Sequence, residues 1–120
     1  MRAVFKFENE TKNTVLADHA KLADSFFSRL IGLLDRTSLH EGEGLLLTSC
    51  QSIHMFGMRF AIDAVFLDKD GVVVGVLEDF APGRLSRIFG KAKSCLELPA
   101  GTVKKTGTTL GDVISKQAAA

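Results

Sequence analysis

The stretch that most limits how this chain can fold is Ile62-Asp63-Ala64-Val65-Phe66-Leu67, apolar at every position but one. It runs directly into Asp68-Lys69-Asp70-Gly71 and then Val72-Val73-Val74. A run this short, with no polar/apolar alternation, reads as a strand buried on both faces, since a half-exposed strand shows a period of two. The Asp-Lys-Asp-Gly segment supplies a tight turn into the next strand. Ile62–Leu67 is therefore predicted to lie centrally in a sheet, and Asp63 is its anomaly. A carboxylate placed there needs a partner, and Arg59 or Arg29 is the natural candidate, because a guanidinium engages a buried carboxylate through two parallel hydrogen bonds. Such a pair either fixes strand register or belongs to a charge cluster that faces a ligand.

Around this hairpin the remaining pattern is mainly β. Val4 to Phe7 and Thr14 to Leu16 are rich in β-formers and are separated by the polar stretch 8–13, which suits a hairpin connection. From Asp24 the periodicity changes, with Phe26, Phe27, Leu30, Ile31, Leu33 and Leu34 at helical spacing, and one short helix is predicted over about residues 23–34. Leu45-Leu46-Leu47 follows a glycine-containing turn and reads as a buried strand. In an extended reading of 52–60, His54, Phe56, Met58 and Phe60 share one face, and neither face is clearly wet. Ser94 to Leu98 forms a further strand closed by Pro99-Ala100-Gly101, and the tail 116–120 reads as frayed.

At 120 residues, 46% hydrophobic and 24% charged, the chain has the size and composition of one globular domain. The aromatic set is nine Phe with no Trp or Tyr, which suits a core better than a base-stacking platform and argues against nucleic-acid binding. No apolar run approaches the length of a membrane helix and the first residues lack a secretory core, so a soluble protein of the cytoplasm is expected, with Cys50 and Cys95 kept as thiols. The net charge of +1 hides an asymmetry: residues 84–105 carry six basic side chains and one acidic, a local excess of +5. Such a stripe is either a solvated face or an anion-binding one.

Four ordered strings then become informative together: Arg29 to Arg36 (Arg-Leu-Ile-Gly-Leu-Leu-Asp-Arg), His54 to Asp68, Cys95 to Gly101, and Gly111-Asp112. With this spacing the chain resembles the domain of unknown function 192 family over roughly residues 15–114. The resemblance implies a small, mostly antiparallel barrel-like or sandwich-like sheet with the helix packed at one end. It implies no activity, and it suggests an association of this subtype with pilus or secretion genes. The middle motif departs from the commonest family pattern, Phe-Trp-Met-Lys-Asn-Thr with a Pro before the aspartate. Here those places hold Ile53 to Met58 and Ala61, and a mechanism based on the Lys-Asn pair has no counterpart.

The candidate ligand-binding residues are His54, Arg59 and Asp63, with Arg29 and Glu97 at the rim, a set suited to a small anionic or hydroxylated ligand. Each has a plain structural alternative: a satisfied core histidine for His54, a buried ion pair for Asp63, and an edge-strand ion pair for Glu97, which shares a face with Lys93 and Cys95. Cys50, His54 and Cys95 lack the spacing of a zinc site, and along a strand Cys50 and His54 lie about 13 Å apart, too far for a nucleophile pair. Residues 68–71 imitate half a calcium loop, with Phe66 and Leu77 where ligands belong, and no cofactor is implied. Two function classes follow. One is a small-ligand domain built on the charged set. The other is an accessory protein-binding module using the apolar and basic stretch Leu85 to Lys93, with Ile88 and Phe89.

Overall fold

The structure, a computed structural model, describes residues 3–23 and 36–119. Seven strands form one sheet: β1 Val4–Asn9, β2 Thr14–Ala23, β3 Glu43–Thr48, β4 Ile62–Leu67, β5 Val73–Phe80, β6 Ser94–Pro99 and β7 Ile114–Ala118. Among the described residues one short helix, α1, spans Thr102–Thr106. The sheet order is β5-β4-β6-β3-β2-β1-β7. The two ends of that order meet at one corner, where Val72 bridges Val113 and the Val73 N–H donates to the Asp112 carbonyl, so the sheet curls into a half-barrel.

The predicted central strand is β4, between β5 and β6, and all six of its residues are buried. Its turn closes as the sequence requires: Asp68 Oδ1 accepts the N–H groups of Asp70 and Val72, and Gly71 takes a φ of 81° where any Cβ would come within 2.5 Å of the Ile114 carbonyl oxygen. Alternation in β4 and β6 gives two cores. Ile62, Ala64, Phe66 and Cys95 face one with Leu45 and Leu47, while Val65, Leu67, Leu96 and Leu98 face the other with Phe7, Leu46 and Val103. Phe66 stacks on Phe89 at 4.3 Å between ring centroids, in a space that exists because residue 75 is glycine.

Several expectations are corrected. The sheet is mostly antiparallel as expected, but one pairing, β2 with β3, is parallel. Residues 116–118 are not frayed but belong to β7, which pairs antiparallel with β1 from Asn9↔Ile114 to Phe5↔Ala118. Residues 52–60 form no strand; apart from an isolated bridge between His54 and Leu85 they are loop. Of the predicted helix over 23–34, Ala23 is the last residue of β2 and the remainder lies outside the described residues.

Candidate functional site

Asp63 is fully buried, and its partners are backbone amides, not the expected arginine. The pairing of β4 with β5 slips between Ile62 and Ala64, so that Glu78 and Asp79 bulge opposite Asp63. Asp79 adopts a left-handed backbone (φ 50°), which brings its N–H to 2.8 Å from Asp63 Oδ1. Oδ2 accepts from the Gly101 and Val103 N–H groups at 3.1 and 2.8 Å. The helix α1 has no side-chain cap of its own, and Asp63 caps its first turn from across the fold. Arg59 is exposed, and Arg29 lies outside the described residues.

His54 and Arg59 are both exposed in the loop that follows β3, and nothing brings Asp63 to them. That loop is tied to the one after β5: the Met55 N–H donates to the Arg84 carbonyl, the Gly83 N–H to Met55, the Ser86 N–H to Ile53, and the Phe89 N–H to Gln51. The Ile53 N–H in turn donates to Ser86 Oγ at 2.9 Å. This ladder buries Ile53, Met55 and Phe89, so Phe89 is a core ring and not part of a surface patch. It turns outward Phe56 at 54% exposure, Leu85 at 65% and Ile88 at 68%. His54 stacks on Phe56 at 4.9 Å, while Arg84 lies over Phe80 at 5.4 Å and Arg87 over Phe89 at 4.9 Å. Residues 50–61 and 81–93 carry Arg59, Arg84, Arg87, Lys91 and Lys93, with no Asp or Glu. Phe56 and the two ring-mounted arginines were not singled out from sequence, although the acid-free composition of both segments signals them.

Glu97 is the second buried carboxyl. It sits in β6, flanked by β4 and β3, so the edge-strand ion pair with Lys93 does not form; Lys93 is exposed and precedes the strand. Register places Glu97 directly between Ala64 and Leu45, in a row that continues to Leu77 on β5 and Lys21 on β2. Only 8% of Glu97 is exposed, and its carboxyl accepts no hydrogen bond from the described residues, yet neither oxygen is fully shut from solvent. Burial, aided by the nearby Cys50 thiol, pushes its pKa up to about 7. Burial, a hydrogen bond with Cys50 and the charge of Glu97 raise the Cys95 thiol well above its ordinary range. Among the described residues no three His, Cys, Asp or Glu side chains are arranged to hold a metal ion. A cleft of about 380 Å³ between β2, the 41–42 turn and α1 is lined by Asp18, Glu41, Thr102 and Lys105, and by none of His54, Arg59, Asp63 or Glu97.

A family model, domain of unknown function 192, described as "Uncharacterized ACR", matches residues 7–116. The "UPF0127 protein" of Thermococcus sibiricus is 36% identical over 110 residues, covering 88% of this chain and 71% of that protein. The "UPF0127 protein PH1112" of Pyrococcus horikoshii is 31% identical over 109 residues, covering 88% of this chain and 94% of that protein. The fold is similar to the crystal structure of a protein of unknown function from Novosphingobium aromaticivorans, with a TM-score of 0.80 at 20% identity over 93% of this chain and 83% of that one.

Proposed function

We propose, proceeding from the fact that the chain belongs to the domain of unknown function 192 family, that it acts as an accessory module whose paired loops 50–61 and 81–93 dock an acidic, apolar segment of a partner protein. One observation carries this reading: on two hydrogen-bonded loops, Phe56, Leu85 and Ile88 are exposed among five cations and no anion. Three large apolar side chains left in water on two paired loops are available for a partner to cover. The surrounding cations select the sign of what covers them, steering acidic surfaces in and like-charged ones away. Arg84 and Arg87 rest on Phe80 and Phe89, so their guanidinium planes are held in place before a partner arrives. The apolar centre favours protein over nucleic acid as the partner, since a phosphate backbone gives Leu85 and Ile88 nothing to bury against.

The test is fluorescence anisotropy with three labelled probes of equal length: an acidic peptide with interspersed Leu and Phe, its charge-inverted counterpart, and single-stranded DNA. Selective binding of the acidic peptide is expected, weakening as salt rises and falling about tenfold with Leu85→Asp or with Arg87→Glu while the melting temperature hardly moves. Equal binding of the charge-inverted peptide, or preferential binding of DNA, would remove the protein-docking reading.

A further inference from the structure

His54 and Leu85 form an isolated antiparallel bridge between the two loops. The hydrogen bonds beside it run from the Met55 N–H to the Arg84 carbonyl and from the Ser86 N–H to the Ile53 carbonyl. The pair itself is thus of the kind that exchanges no hydrogen bond, in which the Cα atoms close to about 4.5 Å and the side chains stand side by side. Alternation buries Ile53, Met55 and Ser86 and turns His54, Leu85 and Arg87 to solvent. The imidazole also stacks on Phe56, so it sits between two of the three exposed apolar side chains. Its Nδ1 accepts the Phe56 N–H at 3.4 Å, which leaves the proton of the neutral ring on Nε2. The charged side chains of both loops are of one sign: Arg59 on its own loop, Arg84 and Arg87 across the ladder, then Lys91 and Lys93. Of the acids between the two loops in sequence, Asp63, Glu78 and Asp79 are gathered at the β5 bulge, and Asp68 and Asp70 lie in the turn at the far end of β4.

We propose, on the reading that these loops dock an acidic segment, that His54 is the residue through which the surface engages a carboxylate of its partner, and that docking takes up a proton there. The neutral ring offers one donor, Nε2–H. Protonation makes Nδ1 a second donor and gives the ring a charge, and a charge-assisted bond to a carboxylate is roughly twice as strong as a neutral one. The bond that protonation breaks, from the Phe56 N–H, is already long at 3.4 Å and belongs to an exposed residue. Neither loop carries an acid to balance the new charge, so the partner supplies it. Imidazoles change charge between about pH 5 and 8, where the Asp and Glu side chains of a partner stay ionised. The gain is therefore present at the acid end of that window and lost as pH rises. A carboxylate that raises an imidazole by about one pH unit on contact tightens binding about fivefold from pH 8 to pH 6.

The experiment titrates the full chain with the labelled acidic peptide at pH 6, 7 and 8 and constant ionic strength, read by anisotropy. NMR follows the ring C–H signals of the histidines against pH, with and without the peptide. His19, against Asp18, and His40 lie outside both loops and serve as internal references. The expected result is binding about fivefold tighter at pH 6 than at pH 8, with a His54 midpoint that moves up on binding while those of His19 and His40 stay. His54 is exposed, so variants there should fold as the parent does. His54→Gln should bind with one affinity at all three pH values. His54→Arg, a planar cation that can still stack on Phe56, should bind at every pH as tightly as the parent does at pH 6. Equal affinity at pH 6 and pH 8, or an unmoved His54 midpoint in the bound protein, overturns the assignment and leaves the docking reading standing. A pH dependence that persists in His54→Gln also overturns it. Absence of binding at every pH removes both.

Discussion

Replacing Asp63 with Asn changes one atom and tests how the two halves of the fold are joined. The carboxylate accepts three N–H groups, from Asp79 on Oδ1 and from Gly101 and Val103 on Oδ2. An amide has one acceptor oxygen. In its better orientation the oxygen keeps the Gly101 and Val103 donors, and its NH2 then confronts the Asp79 N–H. That orphans one buried donor, at about 1 to 3 kcal/mol, and converts two charge-assisted bonds to neutral ones at roughly half their strength. The sum is a loss of about 2 to 4 kcal/mol. Asp63→Ala, which orphans all three donors, costs at least as much. Urea unfolding is the assay, and with a slope of about 1 to 3 kcal/mol per molar the midpoint should fall by about 1 to 2 M. Hydrogen exchange at Gly101 and Val103 should speed up selectively, because α1 loses the cap that holds its first turn. An unchanged midpoint at constant slope, with those amides still protected, would refute the reasoning.

Phe66→Ala removes a fully buried ring stacked on Phe89 and should cost about 3 to 5 kcal/mol in the same assay. Gly75→Ala would place a methyl carbon 2.3 Å from the Phe89 ring, so a loss of about 1 to 3 kcal/mol is expected, relieved in the double variant with Phe89→Leu. Burial by itself would raise Asp112, but the Asn9 amide, the Lys12 ammonium and the Thr109 N–H outweigh it and hold the carboxyl at about 2, below its ordinary 3.8. Its contribution of about 2 kcal/mol is therefore present above pH 4 and lost as pH falls through 2, and the parent should lose correspondingly more stability over that range than Asp112→Asn.

The parts legible in the sequence are those whose cause is local. Ile62–Leu67 forms a central strand because its residues are apolar on both faces, and the turn after it is dictated by Asp68 and Gly71. The parallel pairing of β2 with β3 joins segments separated by a long connection, and no residue within either strand encodes it. The polar run after Ile114 reads as a tail, yet an edge strand lying on β1 needs only one buried side chain, and Ile114 is that side chain. The partners of Asp63 were invisible for a different reason. They are main-chain N–H groups, and their availability depends on a bulge at Asp79 and a positive φ at Gly101 that side-chain chemistry does not announce. Phe89 looked like surface because its neighbours are basic, and the glycine that admits its ring lies fourteen positions away at Gly75.

Asp63 and Glu97 show why burial alone does not assign a role to a charge. They lie on adjacent strands, with Asp63 opposite Leu98 and Glu97 opposite Ala64, so alternation sends the two carboxyls to opposite faces of the sheet. On its face Asp63 meets a bulge and a helix start, three donors satisfy it, and removing it should weaken the fold. On the other face Glu97 meets Leu45, Ala64 and two thiols, so its folded-state pKa rises from 4.5 to about 7. A raised carboxyl pKa favours the folded state only below the unfolded value. As pH climbs from 4.5 through 7 the ionised form strains the fold by about 3 kcal/mol. Two buried carboxyls one strand apart thus act oppositely on stability: Asp63 braces the fold through three main-chain donors, whereas ionised Glu97 weakens it as pH rises.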